Sequence, residues 1–141
     1  MPNWCSSNVR IEFNSRGDVQ RFLDLFGQWK RDAMENGFGE GWLGNVALNS
    51  GVGFWKDEGC VDAEGRSLSV RGSAWINGSD SESVDIGEDS AWSPAFRLWT
   101  LVLEKHFKGA VKDVTYWAEE PGCGLYATND PDLVGRYEID V

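Results

Sequence analysis

The feature that most constrains this chain is a change of hydrophobic period near its start. From Asn8 to Phe13, the apolar residues Val9, Ile11 and Phe13 alternate with Asn8, Arg10 and Glu12. Successive strand residues point to opposite faces, so this segment predicts a strand with one buried face and one wet face. After Asn14-Ser15-Arg16-Gly17, the apolar positions Val19, Phe22, Leu23, Phe26, Trp29 and Ala33 recur at mostly three- and four-residue steps. That spacing lines one side of a helix. Ser15 followed by Asp18 predicts its N-terminal cap, with Asp in place of the usual Glu, and Asn36-Gly37 predicts its end, giving a helix over Asp18–Glu35. Gly27 lies inside it, at a cost of about 1 kcal/mol relative to Ala. A half-buried strand followed at once by an amphipathic helix calls for a sheet with a helix on its covered face.

The same two periods return later. Ser67–Ile76 predicts a strand, interrupted at Gly72, and Asn77-Gly78 predicts a two-residue hairpin turn because both positions tolerate positive φ. Ser83–Asp89 predicts the return strand, with Val84 and Ile86 on one face. Ser93-Pro94 predicts a helix start, Ser as N-cap and Pro at the first helical position. The helix, Pro94–Lys108, would turn Phe96, Trp99, Val102, Leu103 and Phe107 to the core and end at Gly109. Val111–Ala118 predicts a further strand. Gly124–Thr128 and Tyr137–Val141 predict two short ones around Asn129-Asp130-Pro131. Gly37–Gly65, rich in Gly and holding Phe38, Trp42, Phe54 and Trp55, reads as an insertion with little regular structure, although Leu43–Leu48 suits a short helix or strand. The order is β-α-(insertion)-β-β-α-β plus two strands. Its first six elements follow the split βαβ pattern of a ferredoxin-like fold: α+β, one domain over residues 1–141, two helices on one face of a mostly antiparallel sheet. Val9, Ile11, Phe22, Leu23, Phe26, Val102 and Val114 are the expected core.

Charge narrows the partners. The net charge is −10, and it is uneven: residues 1–70 hold seven Lys/Arg against ten Asp/Glu, residues 71–141 six against thirteen. Nucleic-acid affinity comes largely from Lys/Arg neutralising phosphates, so no nucleic acid is expected. A basic protein partner suits the acidic half. The three cysteines, Cys5, Cys60 and Cys123, are odd in number and scattered, which predicts neither a disulfide framework nor a zinc site. Met1–Phe13 has no apolar signal-peptide core, and no apolar run approaches membrane-spanning length. The expectation is a cytoplasmic protein with no membrane partner and no cofactor.

Three short segments carry a resemblance: Met1-Pro2-Asn3-Trp4-Cys5 with Asn8 close behind, Ala91-Trp92-Ser93-Pro94, and Glu120-Pro121-Gly122-Cys123-Gly124. In that order they resemble the YubB/Api-type family of phage-, plasmid- and mobile-element proteins. The chain departs from the family's pattern in an extra Ser between Cys5 and Asn8, and in Arg71-Gly72-Ser73-Ala74-Trp75 where an Asn-Trp-Gly-Thr-Lys-Trp-like segment is expected. The resemblance implies a ferredoxin-like domain and a mobile-element origin. It implies no activity.

No Walker loop, dinucleotide fingerprint or H-E-x-x-H motif occurs, and the lone His106 has no nucleophile at a telling spacing. The leading expectation is a non-enzymatic, acidic protein-binding module. Its site would gather the ends of elements, where loops carry function: Asn3 and Trp4, Trp92 and Ser93, and Glu119, Glu120 and Gly122, with Asp130 across the next hairpin. An enzyme or metal-binding domain built on Glu119 or Glu120 with Asp130 is the alternative, since paired carboxylates can divide acid and base roles or hold a hard cation. A subunit that oligomerises through an open sheet edge is the third. The tract Asp80, Glu82, Asp85, Glu88 and Asp89 is expected to face solvent.

Overall fold

The computed structural model describes residues 4–32, 39–91, 94–120 and 125–129. In chain order the elements are β1 (Trp4–Phe13), α1 (Arg16–Trp29), α2 (Leu43–Ser50), β2 (Phe54–Lys56), β3 (Gly59–Val61), β4 (Gly72–Ser79), β5 (Ser83–Ala91), α3 (Phe96–His106), β6 (Val111–Glu120) and β7 (Leu125–Thr128). One sheet runs β4-β5-β1-β6-β7 with every pairing antiparallel, and β2 pairs with β3 in a small second sheet. The fold is α+β, with β1 at the centre of the large sheet. The predicted strand Tyr137–Val141 lies outside the described residues.

The alternation in β1 sets the layers. Cys5, Ser7, Val9, Ile11 and Phe13 are buried, while Trp4, Ser6, Asn8, Arg10 and Glu12 remain wholly or partly exposed. The helices close over the first set. Phe13, Phe22 of α1 and Phe107 after α3 meet with ring centroids 5.4–5.7 Å apart, and Phe26 packs on Trp99 at 6.2 Å. Such tilted aromatic contacts add stabilisation beyond the area they bury. Of the expected core, Val9, Ile11, Phe22, Phe26 and Val102 are buried, and Leu23 and Val114 pack partly buried against them.

Ser15 caps α1 as predicted, accepting from the Asp18 N–H at 3.2 Å. The helix stops at Trp29, well short of Glu35, because α2 takes over its last carbonyls. Asn45 donates to the Lys30 carbonyl at 3.2 Å, and Asn49 to those of Trp29 and Arg31 at 2.9 and 3.0 Å. These bonds satisfy groups that a continuing helix would have used itself. The segment expected to hold little regular structure thus contains a helix and a hairpin. The hairpin turns at Asp57 and Glu58, φ 52° and 63°, the positive pair a two-residue turn requires. Gly27 stays within α1, and a Cβ there would meet nothing within 4 Å. Gly27→Ala is expected to stabilise the fold by about 1 kcal/mol; a lowered urea midpoint would contradict this.

Two further expectations are corrected. Asn77-Gly78 is a bulge inside β4, where the register shifts between Ile76 and Gly78. The chain reverses instead at Asp80, whose Oδ1 accepts from the N–H groups of Glu82 and Ser83 at 2.8 Å each and from the Ser83 hydroxyl at 3.0 Å. A side chain that binds three groups of the turn outcompetes a dipeptide that merely permits one. The second correction concerns Glu88, expected in solvent with its acidic neighbours. It is 1% exposed on the core face and accepts from the Ser7 hydroxyl at 2.7 Å, the Ala95 N–H at 3.1 Å and the Trp99 indole N–H at 2.8 Å. Helix α3 accordingly begins at Phe96 with Ala95 at its cap position, not at Pro94 behind a Ser93 cap.

Asp62 ties the segment after β3 to α3. One carboxylate oxygen accepts from Arg97 Nε and Nη2 at 2.9 and 2.6 Å, the other from the N–H groups of Glu64 and Arg66 at 2.9 Å each. The Arg66 N–H does most to hold the Asp62 carboxyl below its ordinary range; burial opposes it, and Arg97 and the Glu64 N–H reinforce it. A depressed carboxyl contributes stability above its unfolded pKa, about 3.9, and loses it as pH falls through the lower folded value. Asp62→Asn is therefore expected to lower Tm near neutral pH, with the gap to wild type closing as pH drops below about 4. Thermal scans from about pH 7 to about pH 3 check this; a gap constant down to pH 3 contradicts it.

Candidate functional site: the open face of the sheet

α1 and α3 cover one face of the sheet, and among the described residues no element covers the other. Directly opposed residues of antiparallel strands project to the same side, so the register reads out the open face in rows. Trp4 stands at one end, 49% exposed. Moving along β1, the next rows are Asp89–Ser6–Glu119, then Trp75–Gly87–Asn8–Trp117, then Asp85–Arg10–Thr115, then Glu12 beside Asp113. Aromatic and carboxylate-bearing rows thus alternate from Trp4 as far as Arg10, and the Glu12–Asp113 row beyond is acidic again.

Polar contacts hold the rows. Arg10 is gripped by the face itself: Nη1 lies 3.1 Å from Asp85, Nη2 3.6 Å from Asp80 and Nε 4.0 Å from Glu12. Asp80 is also held below the ordinary carboxylate range, first by the Glu82 N–H and then by Ser83, with Arg10 adding to the effect. Asn8 donates to Asp85 at 3.4 Å and Ser6 to Asp89 at 3.1 Å. Trp75 is 42% exposed and lies across Gly87, where a Cβ would sit 2.6 Å from the indole Nε1. Glycine there lets the ring lie close against the strand.

Of the site residues expected from sequence, Trp4 and Glu119 fall on this face, one row apart and both exposed. Glu120 ends β6, its backbone paired with Leu125. Asn3, Trp92, Ser93, Gly122 and Asp130 lie outside the described residues. The start of β1, the end of β5 and the end of β6 meet at one end of the sheet, as Trp4 pairs with Ala91 and Ser6 with Glu119. Trp75 and Trp117 were missed. Finding them needs the register of four strands at once, although the period-two position of Trp75 beside Ala74 was readable.

Cys5 and Cys60 are buried thiols, and burial pushes Cys60 up. His106 Nε2 lies 2.7 Å from the Ser50 carbonyl, with its ring against Trp29. Among the described residues, no three His, Cys, Asp or Glu side chains gather as metal ligands, and no helix is long and apolar enough to cross a membrane. Cavities of about 430, 350 and 540 Å³ lie against α3 and β6, between the segment after β3 and α3, and between α1 and β4; neither Trp4 nor Glu119 lines any of these three. No protein-family model, curated protein or solved structure matches the chain.

Proposed function

We propose that this chain is a non-enzymatic binding module that docks a partner protein on the open face of its sheet. The observation that carries this is the alternation of exposed tryptophans with carboxylates across that face. Tryptophan is enriched at binding hot spots because it buries much area at little entropic cost. The surrounding carboxylates repel phosphate and favour a basic protein surface, raising its rate of encounter.

The strand order β4-β5-β1-β6, with helices joining β1 to β4 and β5 to β6, supports a ferredoxin-like reading of the fold. In that reading α2 and the β2–β3 hairpin are the insertion. The segments at Asn3-Trp4-Cys5, Ala91–Pro94 and Glu120–Gly124 support a YubB/Api-type origin in a mobile genetic element or its bacterial host, and hence a cytoplasmic setting.

The test uses the wild-type chain and the Trp4→Ala and Trp75→Ala variants as baits in host lysate, with Tm measured for each. A discrete protein is expected on the wild type and at much reduced yield on the variants, at similar Tm. Equal recovery on all three baits, or recovery of none, would overturn the reading.

A further inference from the structure

Resting on that docking reading, we propose that the open face receives an extended basic segment of the partner, running along β1 and placing an arginine between Asp89 and Glu119. The face already shows how it treats a guanidinium. Arg10 projects from β1 into a carboxylate setting made by Asp85, Asp80 and Glu12, at 3.1, 3.6 and 4.0 Å. Two rows away a second carboxylate setting stands without a cation. Here Asp89 on β5 and Glu119 on β6 flank β1 from both sides, where the Arg10 row has Asp85 on β5 and Thr115 on β6, and the β1 residue between them is Ser6. Ser6 donates to Asp89 at 3.1 Å and brings no positive charge. Among the described residues, neither Asp89 nor Glu119 has an ion pair.

Neighbouring rows supply the rest of the seat. On one side stands Trp4, on the other the row of Trp75 and Trp117, so a side chain entering between the two carboxylates passes exposed indole on both sides. A guanidinium suits this better than an ammonium: it stacks on aromatic faces and offers donors in a plane to carboxylates on either hand. Spacing selects an extended ligand. Rows on one face of a sheet are two residues apart, about 6.6–6.8 Å, the same repeat as alternate residues of an extended peptide. A segment with arginine at alternate positions therefore stays in step with the rows, whereas a helix does not. Along β1 the side chains of Ser6 and Asn8 are short, which leaves room for a backbone above them, while the Trp75 ring covers Gly87 beside Asn8.

Fluorescence anisotropy tests this with labelled ten-residue peptides at about 0.15 M salt, where separated surface charges are largely screened. The probes are an Arg-Thr repeat, the same composition with its arginines contiguous, and a single-stranded RNA. The Arg-Thr repeat is expected to bind most tightly. Asp89→Asn with Glu119→Gln should weaken it about tenfold, and Trp75→Ala about fivefold. Asp24→Asn with Glu104→Gln, which removes the same charge from exposed helix positions, should change it less than about twofold. Equal weakening by both charge variants, preference for contiguous arginines, or tighter binding of RNA would overturn the proposal. If the Arg-Thr repeat does not bind while a lysate protein is still lost on Trp75→Ala, the docking face stands and this occupant is wrong. If both fail, the docking reading falls with it.

Discussion

Gly72→Ala is expected to destabilise the protein by about 3 kcal/mol or more, a fall in Tm on the order of 10 °C. Gly72 opens β4 opposite Ser90 with φ 152°, a conformation that favours glycine. A Cβ there would lie 2.0 Å from the Asp89 carbonyl oxygen, 2.7 Å from Ser90 Cα and 2.9 Å from the Asp89 carbonyl carbon. All three are backbone atoms of β5. That strand is held on its other side by β1, and the Ala91 N–H donates to the Arg71 carbonyl at 2.8 Å just outside the contact. Neither partner can retreat without breaking a ladder, so the substitution must part β4 from β5. Gly87→Ala is the control. Its Cβ would also be too close, but to the half-exposed Trp75 ring, which can swing into solvent. It should cost under about 1 kcal/mol while displacing the ring from the open face. Urea titration of both variants checks the contrast; equal losses would mean that contact with backbone is not what makes Gly72 indispensable.

These two glycines show where sequence reading reached its limit. The strand at Asn8–Phe13 and the core side of α1 were legible, because alternation and three-to-four spacing each point to one face without help from the rest of the chain. Gly72 was visible only as an irregularity, since its reason lies on another strand. The ends of α1 and β4 were misjudged for a related cause. Asn36-Gly37 and Asn77-Gly78 are local stop and turn signals, but Asn45, Asn49 and Asp80 supply side-chain partners that settle the matter earlier or later in the chain. The β2–β3 hairpin gave little to read: each strand has three residues, and its turn uses Asp57 and Glu58 where glycine or asparagine is usual. At the candidate site, Trp4 and Glu119 followed from element ends. Trp75 and Trp117 join them only through the register across β4, β5, β1 and β6.

Glu88 was legible by position and overlooked by type. Val84, Ile86 and Glu88 share one parity, so a strand that buries the first two also buries the third; only the acidic tract around it points to the surface. In the core its carboxylate joins three elements, accepting from Ser7 on β1, from Trp99 on α3 and from the Ala95 N–H at the start of that helix. A carboxylate near a helix N-terminus is favoured by the helix dipole as well as by the bonds. Glu88→Ala is expected to cost about 4 kcal/mol or more, since it opens a cavity and leaves three donors facing it. Glu88→Gln keeps the volume and should cost about 2 kcal/mol, because an amide nitrogen must replace one acceptor. If the nitrogen takes the Oε2 place it meets the Trp99 indole N–H, and if it turns over it meets the Ala95 N–H. Glu88→Met tests whether an apolar side chain can stand in. Buried ionic groups are sometimes replaced by hydrophobic ones without loss, but that requires removing the partners too, and a backbone N–H cannot be removed. Glu88→Met should therefore fall between Gln and Ala in urea midpoint. Amide exchange at the first turn of α3 should rise in all three variants. Wild-type stability in Glu88→Gln, with that turn still protected, would show that the carboxylate is not what holds α3 to the sheet.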